Sequence, residues 1–546
     1  MLEDLKDASQ SLRSALKHYL SVCSNLRTCA FQGELMHNRS LELADQVRNE
    51  VDSFAEYESQ LQDAKVAIKV TQNHVPSIAP INILPPEILA EIFHLVLTLW
   101  PHSACRLAQV CSRWRCVALS TYSLWTHISY NPPHVPPKDA KLTALKKSDL
   151  LDHAKLHLCR SAHFPLHIHL SMEDGKYKWY NGSARSLFKC IASRMQSLQL
   201  SFPCSIYYGS ASDTPESVVS DLLLNCEQDT FSQLVTTSRS AGFITPSNHT
   251  YNNSVFWLAL TSGQLDKAFA SIRVLHLHNR FPEWTSTAYH NLVDLRLMGS
   301  HKINEATLVN ILKMSPGLCI FHFGLSIKPR DLSVVDPPLS VKLVDLELLR
   351  VVGDAVTIIF HEEVERILSW ISPGKNALRL FIENKASGCR EELNKQIPMT
   401  HIRAFFERSI IAELHAENYP LLLELTCLPI TRHFALNSCH INNKTTQVPS
   451  EINRDASSPK LPLKTLYITN CSITLDTFRA RLQMASVQRL VLYQNWFFLD
   501  GKEVSKDQVV MELSAMCLTV VFADEMPACI SHWQSDVSKR STVLGT

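Results

Sequence analysis

His167 and His169 in LHIHL, and His276 and His278 in LHLHN, are the residues whose types and spacing come nearest to chemistry in this chain. Side chains two residues apart on a strand share a face, and two imidazoles so placed can ligate a metal. The same alternation arises wherever polar residues line the outer face of a half-buried strand, and the sequence fixes no cysteine or carboxylate beside either pair. Neither a metal nor a cofactor is therefore expected. SPGKN around Gly374 lacks the second glycine and the following Ser or Thr of a phosphate-binding loop, and neither GxSxG nor HExxH occurs. HEEVER from His361 reads as a solvated helix face. Cys111 falls in a helical apolar pattern with no identifiable base partner, which suits a small buried apolar group rather than a nucleophile. The 16 cysteines include no CxxC pair, against a zinc ribbon or thioredoxin-like site. The chain is not expected to be an enzyme.

The elements that would position any functional group begin with a helical N-terminal segment over residues 1–72, rich in Leu, Glu, Lys, Gln and Asp. Within it Val47, Val51, Phe54, Leu61 and Ile68 fall on alternating spacings of three and four, interrupted by Glu58 and Lys65. This weak heptad seam raises self-association through residues 41–70, against a helical hairpin packed on its own domain. The prolines in NHVPSIAPINILPPE then prevent a continuous helix and mark a boundary. Pro86 suits a first helical turn, where its missing N–H costs nothing, and Glu87 suits the positive helix start. Ile88, Leu89, Ile92, Phe93 and Val96 follow at helical spacing. A second stretch from Ser103 carries Leu107, Val110, Cys111, Trp114, Val117 and Ala118 on one stripe, and SLW adds Trp125. NPPHVPPKDA, with four prolines, reads as an extended spacer over residues 131–140.

The series LPPEILAEIF, AQVCSRWRCVA and SLW, in that order across Leu84 to Trp125, resembles the F-box. This is the three-helix module of substrate receptors in cullin-RING ubiquitin ligases. With its upstream helical segment followed by PINILPPEIL, the region looks especially like the large F-box families of mushroom-forming fungi. The resemblance covers about residues 76–130 and implies docking on a Skp-type adaptor, which bridges to a cullin. It makes Leu84, Pro85, Ile88, Leu89, Ile92, Val110, Cys111 and Trp114 the candidate docking or supporting residues. One departure is the absence of an acidic or Asn residue at the turn into the second helix. A fifty-residue helical unit has too small an interior for all these apolar groups, so part of its surface is expected to belong to a partner.

Residues 141–546 alternate short apolar runs with helical patterns, and several runs fit LxxLxL. These are Ile272, Leu275 and Leu277; Leu292, Leu295 and Leu297; Leu318, Phe321 and Phe323; Leu343, Leu346 and Leu348; Leu463, Leu466 and Ile468; Val487, Leu490 and Leu492. Their spacing suits leucine-rich repeats, in which strands stack alternate side chains into a shared core. The intervening residues, such as Arg273, His276 and His278, Asp294 and Arg296, or Asp345 and Glu347, would then face a protein target. Ser-, Thr- and Asn-rich stretches near 207–254 and 441–462 read as loop insertions. The expected fold is thus multidomain: an α-helical N-terminal segment, a three-helix F-box, and an irregular α/β leucine-rich-repeat-like solenoid.

With 53 Lys plus Arg against 52 Asp plus Glu, the net charge of +1 disfavours nucleic acid or an acidic membrane surface as partner. No apolar run reaches the ~18 residues of a membrane span, and the N-terminus lacks a signal-type run, so a cytoplasmic or nuclear protein is expected. The sequence reads as a noncatalytic substrate receptor, with an F-box scaffold acting outside a ligase as the alternative. The target is not legible in it.

Overall fold

The computed structural model describes residues 2–32, 40–74, 80–100, 103–130, 151–171, 182–202, 215–246, 255–328, 340–353, 357–385, 399–419, 432–441, 463–484, 487–527 and 530. They form two compact units: residues 1–91 with 108–117, and residues 92–107 with 118–546.

The chain opens with two long helices, α1 (Leu2–Gln32) and α2 (Ser40–His74). The Tyr19 hydroxyl donates to Glu50 at 2.8 Å, a hydrogen bond that crosses from α1 to α2. Val47, Val51, Phe54, Leu61 and Ile68, the heptad seam of α2, are all exposed. A 3-10 turn at Pro80–Ile83 leads into α3 (Pro86–Leu99), then the short α4 (Ala104–Leu107) and α5 (Ser112–Ser120). Pro86 does occupy the first turn of α3, as its lack of an N–H favours.

The second unit is built on a 15-stranded sheet whose strand pairs are all parallel. Its first strand, His127–Tyr130, comes directly after SLW and pairs with Leu166–Ser171, beyond the helix α6 (residues 151–160). From there the sheet is stacked in chain order to Thr519–Phe522, with helices between strands. N-terminal helices, a short helical module and a long parallel α/β sheet of leucine-rich-repeat character are therefore the architecture, in the order the sequence implied.

Each strand faces one continuous core. Leu275 and Leu277 stack on Leu295 and Leu297, these on Phe321 and Phe323, and these on Leu349 and Val351. This register corrects one repeat. The template does not fall on Leu343, Leu346 and Leu348 but three residues later, on Leu346, Leu349 and Val351. Leu343 instead ends a separate strand, Val341–Leu343, and Leu348 is half-buried. The sheet also runs on through 350–460, where Leu378–Asn384, Ile411–Glu417 and His433–Asn437 are consecutive neighbours.

Turning out of four successive late strands, Asn418, Ser438, Asn470 and Gln494 take left-handed backbone conformations with φ of 48°, 55°, 54° and 49°. Asn reaches that region with little strain because its short side chain bonds locally. Asn437 accepts from Thr469 Oγ1 and from Asn470 Nδ2, both at 2.9 Å, which ties one turn to the next.

Within 207–254, expected as an insertion, Pro215–Asn225 is helical and Gln233–Pro246 is a strand of the main sheet. The Ser and Thr residues of VTTSRS alternate about the strand, with Thr236 and Ser238 buried by hydrogen bonds. The Pro-rich 131–140 and nearly all of 441–462 lie outside the described residues.

Candidate functional site

The helical module presents more apolar surface than it consumes. On α3, Leu89, Phe93 and Leu97 recur every four residues and are buried. Ile88, Leu95 and Leu99 stay 49%, 66% and 49% exposed, and Ile92 lies between them half-buried. The spacings from 88 to 92, 95 and 99 place these four on a second stripe. What reads in sequence as one broad apolar face is two stripes, one turned inward and one outward.

The expected docking residues divide along the same line. Pro85, Ile88 and Val110 are exposed, Leu84, Ile92, Cys111 and Trp114 are half-buried, and Leu89 is fully buried. Ile81 and Ile83 in the preceding turn are also exposed, as are Leu95, Leu99 and Trp100. Sequence reasoning did not name these, although Leu95 and Leu99 continue the helical spacing from Ile88.

The main chain around this surface is pinned by basic side chains. In the first unit, Arg113 Nη2 donates to the Leu84 carbonyl and Arg115 Nε to that of Ala108 at 3.0 Å. The Trp114 amide meets Cys111 Sγ at 3.5 Å. In the second unit, the buried Trp125 indole donates to the Ala118 carbonyl at 2.7 Å, and Ser123 Oγ pairs with His94 Nε2 at 3.0 Å. SLW is thus an internal anchor. An exposed apolar stripe of this kind is suited to binding a helical or apolar partner.

Residues 81–131 match the F-box-like domain family. The F-box-like domain covers less than a tenth of the chain and contains α3, α4, α5 and the SLW anchor. No curated protein matches the chain.

The histidine pairs are part of the repeat sheet's outer face. His167 stacks on His127 with centroids 4.6 Å apart, and His169 Nε2 meets Ser201 Oγ at 2.9 Å. His276 pairs with Asp294 at 2.9 Å, and His278 Nδ1 meets the Ser238 carbonyl at 3.1 Å. Neither pair belongs to the one group of described residues with metal-ligand geometry, which is Cys105, His153 and His157. Gly374 of SPGKN has a structural explanation, since a Cβ there would overlap the Val344 carbonyl.

Register places His276, Arg296, His322, Arg350, Phe381 and His415 side by side across six strands. Acidic residues pair with the two arginines of this row. Arg296 grips Asp294 through Nε at 2.9 Å and Nη2 at 2.8 Å, and Arg350 bonds Glu383 at 2.7 Å. Burial pushes the Asp294 carboxyl up, but hydrogen bonds from His276 and Arg296 and their charge outweigh it and hold Asp294 well below the ordinary range. Burial, reinforced by Arg296 and Arg350, pushes the His322 imidazole down to about 2. Asp345 and Glu347 are exposed but precede the main strand, so they lie outside this row.

Proposed function

We propose that this chain is a noncatalytic substrate receptor of a cullin-RING ubiquitin ligase. Its F-box-like domain binds a Skp-type adaptor, which joins it to a cullin, and its repeat sheet holds a target protein. Transfer of ubiquitin by other subunits is then accelerated by proximity, because the target's lysines are held near the reactive thioester.

The observation that carries this reading is the second apolar stripe of α3, exposed within an F-box-like match. Pro85, Ile88 and Val110 supply surface contacts, with Leu84, Ile92, Cys111 and Trp114 contributing their exposed parts and Leu89 supporting from within. The outer sheet face, where Arg and His alternate with Asp and Glu, is the side we assign to the target; its Arg296–Asp294 and Arg350–Glu383 pairs are themselves largely buried and hold one another. Such a receptor works in the cytoplasm or nucleus, and no described helix is long and apolar enough to cross a membrane.

Adaptor binding by the full chain, lost in Ile88→Asp, is the test of the first step. Adaptor-dependent ubiquitination of a captured protein is the test of the second. The exposed α2 seam supports self-association through residues 41–70 as a separate contact. Light scattering should then give a larger mass for the full chain than for Phe54→Glu, and equal masses would remove that contact from the account.

A further inference from the structure

Cys105, His153 and His157 each offer one ligand atom, and all three atoms lie within 4.8 Å of one another. Cys105 belongs to α4, in the F-box-like domain, whereas the histidines are one turn apart on α6. A spacing of four sets both imidazoles on the same helix face. Cys105 Sγ is 3.5 Å from His153 Nε2, and the His153 and His157 rings lie with centroids 4.3 Å apart.

The second nitrogen of His157 supports a ligand role. His157 is fully buried, and its Nδ1 meets the Trp125 carbonyl oxygen at 3.1 Å. A carbonyl only accepts, so Nδ1 carries the proton and Nε2 keeps its lone pair. Histidines that hold metals are oriented in this way, with the far nitrogen donating to a carbonyl or carboxylate.

We propose that Cys105, His153 and His157 form a zinc site that clamps α4 to α6, with water in the fourth position. One thiolate and two imidazoles make a borderline-soft donor set that zinc accepts in tetrahedral geometry. Bond lengths of about 2.3 Å to sulfur and about 2.05 Å to nitrogen set the sulfur–nitrogen edge of that tetrahedron at roughly 3.5 Å. The Cys105–His153 separation already has this value, and the His157 ligand atom, within 4.8 Å of both, closes on them as the ion binds. Cys105 and His153 are half-buried, which leaves the ion a path from solvent.

Zinc takes a thiolate and neutral imidazoles as ligands, so the Cys105 thiol proton leaves to solvent as the ion binds. Without metal, Cys105 Sγ and His153 Nε2 share a hydrogen bond. With metal, a coordinate bond replaces that hydrogen bond and joins α4 of the helical module to α6, the helix between the first two strands of the sheet. On the receptor reading, this clamp sets the bearing of the target relative to the adaptor, although the site itself stands without that reading.

The test uses the full chain, stripped with a chelator, then titrated with zinc and separately with cobalt as a spectroscopic probe. The expected result is one equivalent of zinc that Cys105→Ser and His153→Gln each weaken at least tenfold, with affinity rising as the pH is raised. Cobalt should give a thiolate charge-transfer band that Cys105→Ser removes. Circular dichroism checks that the variants fold, and His153→Gln alone decides the matter if Cys105→Ser does not. Zinc uptake and a cobalt band identical in the folded variants would overturn the proposal, as would no uptake by the folded parent chain.

Discussion

The Arg113 guanidinium donates to the main-chain carbonyl of Leu84, linking α5 to the Leu-Pro step that leads into α3. A half-buried arginine is thereby spent on positioning the Leu-Pro step. Hydrogen bonds from charged donors contribute about 1.5–3 kcal/mol. Arg113→Met should therefore weaken adaptor binding about tenfold while Ile88 and Val110 remain intact. Isothermal titration of the full-length variant checks this, and unchanged affinity would mean that the Leu84 carbonyl needs no such anchor.

Across the repeat sheet, Arg350 and Glu383 form an ion pair whose side chains are 11% and 9% exposed. Removing one partner strands a buried charge, whereas removing both does not. Arg350→Met should lower stability by about 3 kcal/mol, and Arg350→Met with Glu383→Leu should recover most of it. Chemical unfolding of the three chains distinguishes these cases. A double variant as weak as the single would show that packing, not charge, holds this row together.

Burial, with Arg350 adding and Glu383 opposing, pushes the His415 imidazole down to about 4. Its unfolded value is about 6.5. Between those values the unfolded chain binds a proton that the folded chain lacks, so stability is full above pH 6.5 and declines as pH falls toward 4. The slope from this one group approaches 1.4 kcal/mol per pH unit. His415→Gln should lose that part of the slope, which unfolding midpoints collected from pH 7.5 to pH 4.5 would reveal. An unchanged slope would assign the acid sensitivity to other histidines.

How far the sequence could be read depended on whether a feature was local. Pro85 and Pro86 followed by helical spacing marked α3, because a proline start and a 3.6-residue period are properties of a short segment. The two stripes of α3 were harder. Ile88 and Leu89 are equally apolar, and only packing decides which one turns inward. In LVDLELLRVV, leucines satisfy the repeat template in two registers, and the pairing of Leu349 with Phe321 selects the later one. Strands such as LRLFIEN and HFALN were obscure because apolar Phe381 and Ala435 fall in the outward row and Phe434 stands where a leucine was expected, which blurs the alternation. The convergence of Cys105 on His153 spans forty-eight residues and had no local signal beyond the two histidines one turn apart.

The account rests most directly on adaptor binding by the outward stripe of the F-box-like domain. The decisive measurement is the affinity of a purified Skp-type adaptor for the full chain, the Ile88→Asp variant and the Gln109→Ala variant, each checked for an unaltered unfolding midpoint. Tight binding by the parent and Gln109→Ala chains, with a loss of about thirtyfold or more in Ile88→Asp, is the expected result. Binding unaffected by Ile88→Asp would contradict the assigned face, and no binding by the folded parent chain would contradict the receptor function itself.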